Sequence, residues 1–87
     1  MPKMRAETRL RHIYDRRGKM VQHNRRDEDT EFLLTVVGAM ERRRLELDIP
    51  IRSIRVIRYL AENPSARIFS DPVTEEAFSF AMRSVMI

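Results

Sequence analysis

A chain of 87 residues is long enough for one small domain and too short for two. It has no cysteine, which excludes a disulfide framework and thiolate metal sites. It also has no apolar run near the roughly 20 residues that a membrane-spanning helix needs. The net charge is +4, and all the basic residues except Lys3 and Lys19 are arginine.

The charge is unevenly distributed. Residues 1–26 carry Lys3, Arg5, Arg9, Arg11, Arg16, Arg17, Lys19, Arg25 and Arg26 against only Glu7 and Asp15, a balance of +7. Residues 27–48 balance to −4 and residues 49–87 to +1. Arginine presents a planar fork that pairs bidentately with phosphate or carboxylate, so this bias favours ordered anion contacts. A GC-rich coding sequence produces the same bias with no function attached. The start, Met1-Pro2-Lys3-Met4-Arg5, runs into charged residues rather than the apolar centre of a secretory signal. Its Arg-rich, acid-poor character also matches an organelle transit peptide. The preferred reading is a basic helix of the mature protein in a cytoplasmic, reducing setting, with no membrane partner.

The first predicted helix runs from about Arg5 to Arg17. Ala6, Leu10, Ile13 and Tyr14 recur at three- and four-residue spacing on one face. Gly18 weakens the helix, and the polar stretch Gln22 to Asp29 reads as a linker. The second helix starts with Asp29 or Thr30 as N-cap, and Asp27, Glu28 and Glu31 suit the positive end of its dipole. Phe32, Leu33, Val36, Val37, Ala39, Met40 and Leu47 give it a wide apolar arc. Arg42, Arg43 and Arg44 fall near its carboxyl end. So apolar a helix in so short a chain predicts a central core position or a subunit interface, and homo-oligomerisation is expected.

Pro50 opens a third helix from about Ile51 to Glu62. Ile54, Val56, Ile57, Leu60 and Ala61 form its inner face, with Arg52, Arg55 and Arg58 on the opposite side. Asn63-Pro64-Ser65 ends it. Ala66 to Ser70 alternates apolar and polar residues and predicts a brief strand near 66–69 or an extended connector. Asp71-Pro72 caps a fourth helix that buries Phe78, Ala81, Met82 and Val85. The apolar end Val85-Met86-Ile87 is expected to dock on the core or a partner. The expected architecture is thus all-α: a small four-helix single domain over 1–87, with a basic helix and linker over 1–26, a helical core over 29–87 and a helix-turn-helix-like centre.

Chemistry-bearing patterns are sparse. His12 and His23 lie eleven residues apart and read as ordinary surface histidines rather than as metal ligands. The cluster Asp27, Glu28, Asp29 and Glu31 lacks the turn glycine of a calcium loop, and helix capping explains it more simply. With Gly18 and Gly38 as the only glycines, no phosphate-cradling loop exists. No enzyme activity and no cofactor are expected. The leading expectation is a nucleic-acid-binding or transcription-regulatory protein. Arg5, Arg9, Arg16, Arg17, Arg25 and Arg26 would contact the phosphates of double-stranded DNA, together with Arg52, Arg55 and Arg58. The alternative is an interaction module for another protein, an adaptor or an inhibitor of a regulator.

The stretch Phe32 to Ser70 resembles the front half of MarR-type winged-helix regulators. Phe32-Leu33-Leu34-Thr35-Val36-Val37 is similar to the end of that family's first dimerisation helix. Ile51 to Leu60 followed by Ala61-Glu62-Asn63-Pro64-Ser65-Ala66-Arg67-Ile68 is similar to its helix, turn and next element. The resemblance implies a dimeric DNA-binding ancestry. Beyond Ile68 the chain departs from it, since Val73 to Ile87 offers one helix with Phe78, Phe80, Ala81, Met82 and a single basic residue, Arg83.

Overall fold

The computed structural model describes residues 5–15, 23–68 and 71–86, with the side chains of 23–27 and 68 left out. Among them are five α-helices: α1 (Ala6–Asp15), α2 (His23–Arg42), α3 (Arg44–Leu47), α4 (Ile51–Glu62) and α5 (Pro72–Val85). The protein is all-α, and its radius of gyration is 12.2 Å. The third predicted helix matches α4 at both ends.

Three expectations change. The polar stretch from residue 23 is the first part of α2 and not a linker. No glycine or proline falls between Gly18 and Gly38, so nothing there breaks a helix, and polarity alone does not. Asp29 and Thr30 therefore lie inside α2, and Asp29 is buried rather than capping. The second helix also stops earlier than its apolar pattern, at Arg42. One short helical turn, α3, follows it. Asp48 then adopts the left-handed conformation at φ 54°, and the Ile49 N–H donates to the Arg44 carbonyl oxygen at 2.9 Å. This is the six-to-one closure that ends a helix. It turns the chain through buried Ile49 and extended Pro50 into α4. Finally, Pro64–Ile68 forms a 3₁₀ turn where a strand was expected. Asn63-Pro64 starts a tight turn, and the Ala66 N–H donates to the Asn63 carbonyl oxygen at 2.9 Å. Phe69 and Ser70 lie outside the described residues.

The core follows the 3.6-residue periodicity. Helix α4 packs on α2 and α5, α2 also packs on α5, and α1 lies along α5. Leu33, Val36, Val37 and Met40 of α2 meet Ile54, Ile57, Leu60 and Ala61 of α4 and Ala77, Phe78 and Ala81 of α5 in one buried cluster. Each large aliphatic side chain buried there contributes about 1.5–3 kcal/mol. The arc of α2 that motivated self-association is covered within the single chain: Phe32, Leu33, Val36, Val37 and Met40 are all buried, and only Leu34 stands out among its larger apolar residues. Asp71 caps α5 as predicted. Its carboxylate accepts from the Thr74 N–H at 2.7 Å with Pro72 in the first turn, and this bond holds the Asp71 carboxyl below its ordinary value.

Candidate functional site

Two arginines that the sequence did not single out are part of the framework. Arg67, on the 3₁₀ turn, is 5% exposed. Its Nε donates to the Leu60 carbonyl oxygen at 2.7 Å and its Nη2 to the Ala61 carbonyl oxygen at 3.0 Å. These are carbonyls from the last turn of α4, which have no partner within the helix. The same Nη2 donates to Thr30 Oγ1 at 3.0 Å, and Nη1 lies 3.9 Å from the buried carboxylate of Asp29. One guanidinium thus caps α4 and ties it to α2. Arg43 does the same for α5. Its Nη1 reaches the carbonyl oxygens of Arg83, Ser84 and Met86 at 3.2, 3.3 and 2.7 Å. Its other edge is held bidentately by Glu46 at 3.0 and 3.1 Å. That fork pushes the Arg43 guanidinium up and the Glu46 carboxyl down from their ordinary values.

The arginines expected to contact nucleic acid do not form one surface. Arg5 is open, with Glu7 3.8 Å away. Arg9 is folded against α2, where Nη2 donates to the Glu28 carbonyl oxygen at 2.9 Å and the guanidinium sits 4.6 Å from the Phe32 ring centre. Arg16 and Arg17 lie outside the described residues, and Arg25 and Arg26 are on α2 with side chains outside them. Arg52 is paired with Glu76 of α5 through a bidentate fork at 2.9 and 3.1 Å. This raises the Arg52 guanidinium and lowers the Glu76 carboxyl. Arg58 makes a single contact, Nη2 to Glu41 at 3.2 Å. Arg55 makes no ion pair among the described residues and is exposed.

What the fold does bring together is the outward face of α4. Ile51, Arg55 and Tyr59 stand four residues apart and so share one stripe. Ile51 is 52% exposed and Tyr59 58%. On one flank Arg55 and Arg58 meet Arg44 of α3 and Glu41 of α2 around a groove of about 380 Å³ floored by Ile51 and Ile54. On the other flank Arg55 and Tyr59 border a groove of about 340 Å³ with Val56, Leu60, Ala66, Val73, Thr74 and the Asp71 carboxylate. Val73 is itself half exposed. The first flank is cationic and the second apolar, and Arg55 borders both. Sequence reasoning found Arg55 and Arg58 but missed Arg44, which the spacing rule for α4 cannot reach, and Tyr59.

A third groove, of about 400 Å³, lies between α1 and α5 and includes Arg11, Tyr14, Glu75 and Met82. There the Tyr14 hydroxyl donates to Glu75, and its ring meets Phe78 edge-on at 5.4 Å. These contacts hold α1 on α5. Among the described residues no three metal-ligating side chains converge, and no helix is long and apolar enough to cross a membrane. No family model, curated protein or solved structure matches the chain.

Proposed function

We propose that this chain is a non-enzymatic protein-interaction module that docks a partner on the outer face of α4. The observation that carries this reading is the grouping of exposed Ile51, Tyr59 and Val73 around Arg55. Tyrosine and arginine are the residue types most enriched at the energetic centres of interfaces, while lysine and glutamate are depleted there.

The test compares the full chain with an Ile51→Ser/Tyr59→Ser variant as bait in extract from its own cells. A partner retained in stoichiometric amount by the first and lost by the second, at unchanged helicity, is the expected result. A partner retained equally by both removes the α4 face from the role. Self-association through this face registers as a concentration-dependent mass in light scattering, abolished in the same variant.

A second reading, a DNA-binding or transcription-regulatory protein, has two supports. Arg44, Arg55 and Arg58 converge around a single carboxylate, Glu41. The Phe32–Ser70 stretch also resembles winged-helix regulators. Helices α4 and α5 are neighbours as a helix-turn-helix needs. Residues 63–71 connect them, however, where that motif uses about three or four. A gel-shift titration separates the readings. Phosphate binding weakens with log salt by about 0.9 per phosphate neutralised, and no shift at low salt removes DNA from consideration.

A further inference from the structure

We infer that the partner segment on α4 is an acidic peptide with an apolar anchor, lying across the helix at Arg55. Its carboxylates would sit over Arg44, Arg55 and Arg58, and its apolar side chain would enter the Tyr59–Val73 groove. This rests on the reading of α4 as a docking face.

The arginines of this surface differ in how fully they are already used. Arg43 has all three nitrogens held by a carboxylate or by carbonyls and has little left to offer a ligand. Arg52 has one edge of its fork held by Glu76, which already matches its charge. Arg58 gives one nitrogen to one oxygen of Glu41, and both side chains are about half exposed. An exposed single-contact pair is weak, about 0.2–1 kcal/mol. Glu41 can therefore yield to, or share Arg58 with, an incoming carboxylate. Arg44 and Arg55 hold no acid among the described residues. Three guanidinium groups against one carboxylate leave this flank positive. A surplus confined to one flank of one helix fits a short run of carboxylates.

The second flank specifies the rest of the ligand. Val56, Leu60, Ala66 and Val73 make it mainly apolar, the exposed Tyr59 borders it, and the Asp71 carboxylate and Thr74 also line it. On the α5 side Glu76 already neutralises Arg52, so carboxylates gain nothing there. The ligand that satisfies both flanks carries acids on one side and an aliphatic or aromatic side chain on the other. Arginine forks fix the register of carboxylates by paired hydrogen bonds. The apolar groove supplies area that is independent of salt.

The test is selection of a displayed random-peptide library on the full chain, followed by binding titrations of the enriched peptides. The expected enrichment is for two or more Asp or Glu together with Leu, Ile or Phe. Binding to an Arg44→Gln/Arg55→Gln variant should weaken by at least about tenfold, the usual size for truncating a paired interfacial charge. Tyr59→Ser should weaken binding while leaving its salt dependence intact. Arg55→Lys should recover part of the loss, because it keeps the charge and not the fork. Enriched peptides without acids, or acidic peptides that bind the double-glutamine variant equally, overturn the inference and leave the docking reading standing. No enrichment at all also overturns it. Failure of the docking reading shows separately, as a partner insensitive to Ile51→Ser/Tyr59→Ser.

Discussion

Arg43 and Arg44 are neighbours in sequence and opposites in use. Arg43 turns to the end of α5 and caps three carbonyls, as Arg67 caps the end of α4. Arg44 turns to the groove beside α4 and makes no ion pair among the described residues. The same side chain thus serves as an internal cap in one place and an open binding group in another. Backbone supply decides between them. A helix end leaves several carbonyls without partners, and a guanidinium that can reach them is consumed there. A guanidinium over the middle of a helix finds no such acceptors and stays available. Counting arginines, or summing their charge, cannot separate the two populations.

The sharpest way to break this contrast is at Arg67. Arg67→Met leaves the Asp29 carboxylate buried with its charged neighbour gone, and the Leu60 and Ala61 carbonyls uncapped. Removing one member of a buried charged pair costs about 3–5 kcal/mol. A domain of this size loses about 4–8 °C of Tm per kcal/mol, so Tm should fall by more than about 10 °C in a thermal melt followed by circular dichroism. Arg67→Lys should fall between, because an ammonium cannot span two carbonyls and Thr30 with one planar fork. A loss of less than about 1 kcal/mol for the methionine variant, the usual value of one ordinary hydrogen bond, would show that Arg67 is not a cap in any energetic sense.

That inward population was the part the sequence hid. The apolar periodicities of α2, α4 and α5 were legible, because Leu33, Val36, Ile57, Leu60 and Phe78 obey local spacing. The start of α5 was legible too, because Asp71-Pro72 is a local capping pattern. Arg67 and Arg43 act on residues far along the chain, such as Thr30 and Met86. No local spacing announces that. The linker expectation at 22–29 failed for a related reason. Asp29 is buried on the helix with Arg67 beside it in space, a neighbour that no local pattern of charge announces. At the candidate site, Arg55 and Arg58 followed from helical spacing, but Arg44 reaches the same groove only through the reversal at Asp48.

Gly38 tests the outward population from another side. It lies within α2, and a Cβ placed there meets only the Nη1 of exposed Arg42, at 3.2 Å. Alanine in a helix interior is favoured over glycine by about 0.5–1 kcal/mol. If outward arginines are unconstrained, Arg42 swings aside and Gly38→Ala raises Tm by several degrees. An unchanged or lower Tm would mean that Arg42 is held, and would move it to the inward class.

Surface ion pairs lie between the two populations, and pH resolves them. Glu76 and Glu46 are held below their ordinary value of 4.5 by hydrogen bonds from Arg52 and Arg43. Asp71 is held below 3.8 by the Thr74 N–H. In each case the unfolded chain takes up a proton before the folded one as pH falls. The stability they add is therefore full above the ordinary carboxylate values and is lost as pH drops through the lower folded ones. Tm should stay level down to about pH 5 and then decline. Glu76→Gln should make that acid decline shallower, and added salt should shrink the difference, as screening of an exposed pair requires. An acid slope unchanged in Glu76→Gln would remove Arg52–Glu76 from the stabilising set.

The smallest expected effect on stability is at the docking face itself, and its smallness is the point. Tyr59 is 58% exposed, and among the described residues Arg55 makes no ion pair and caps no helix end. Surface changes away from caps and core normally stay within about 0.5 kcal/mol. Tyr59→Ser and Arg55→Gln should therefore leave Tm within a few degrees of the parent while weakening partner binding. A large Tm loss for Arg55→Gln would place Arg55 with Arg43 and Arg67 as a structural group. The contrast between neighbouring arginines would then fail at the residue on which the docking proposal depends.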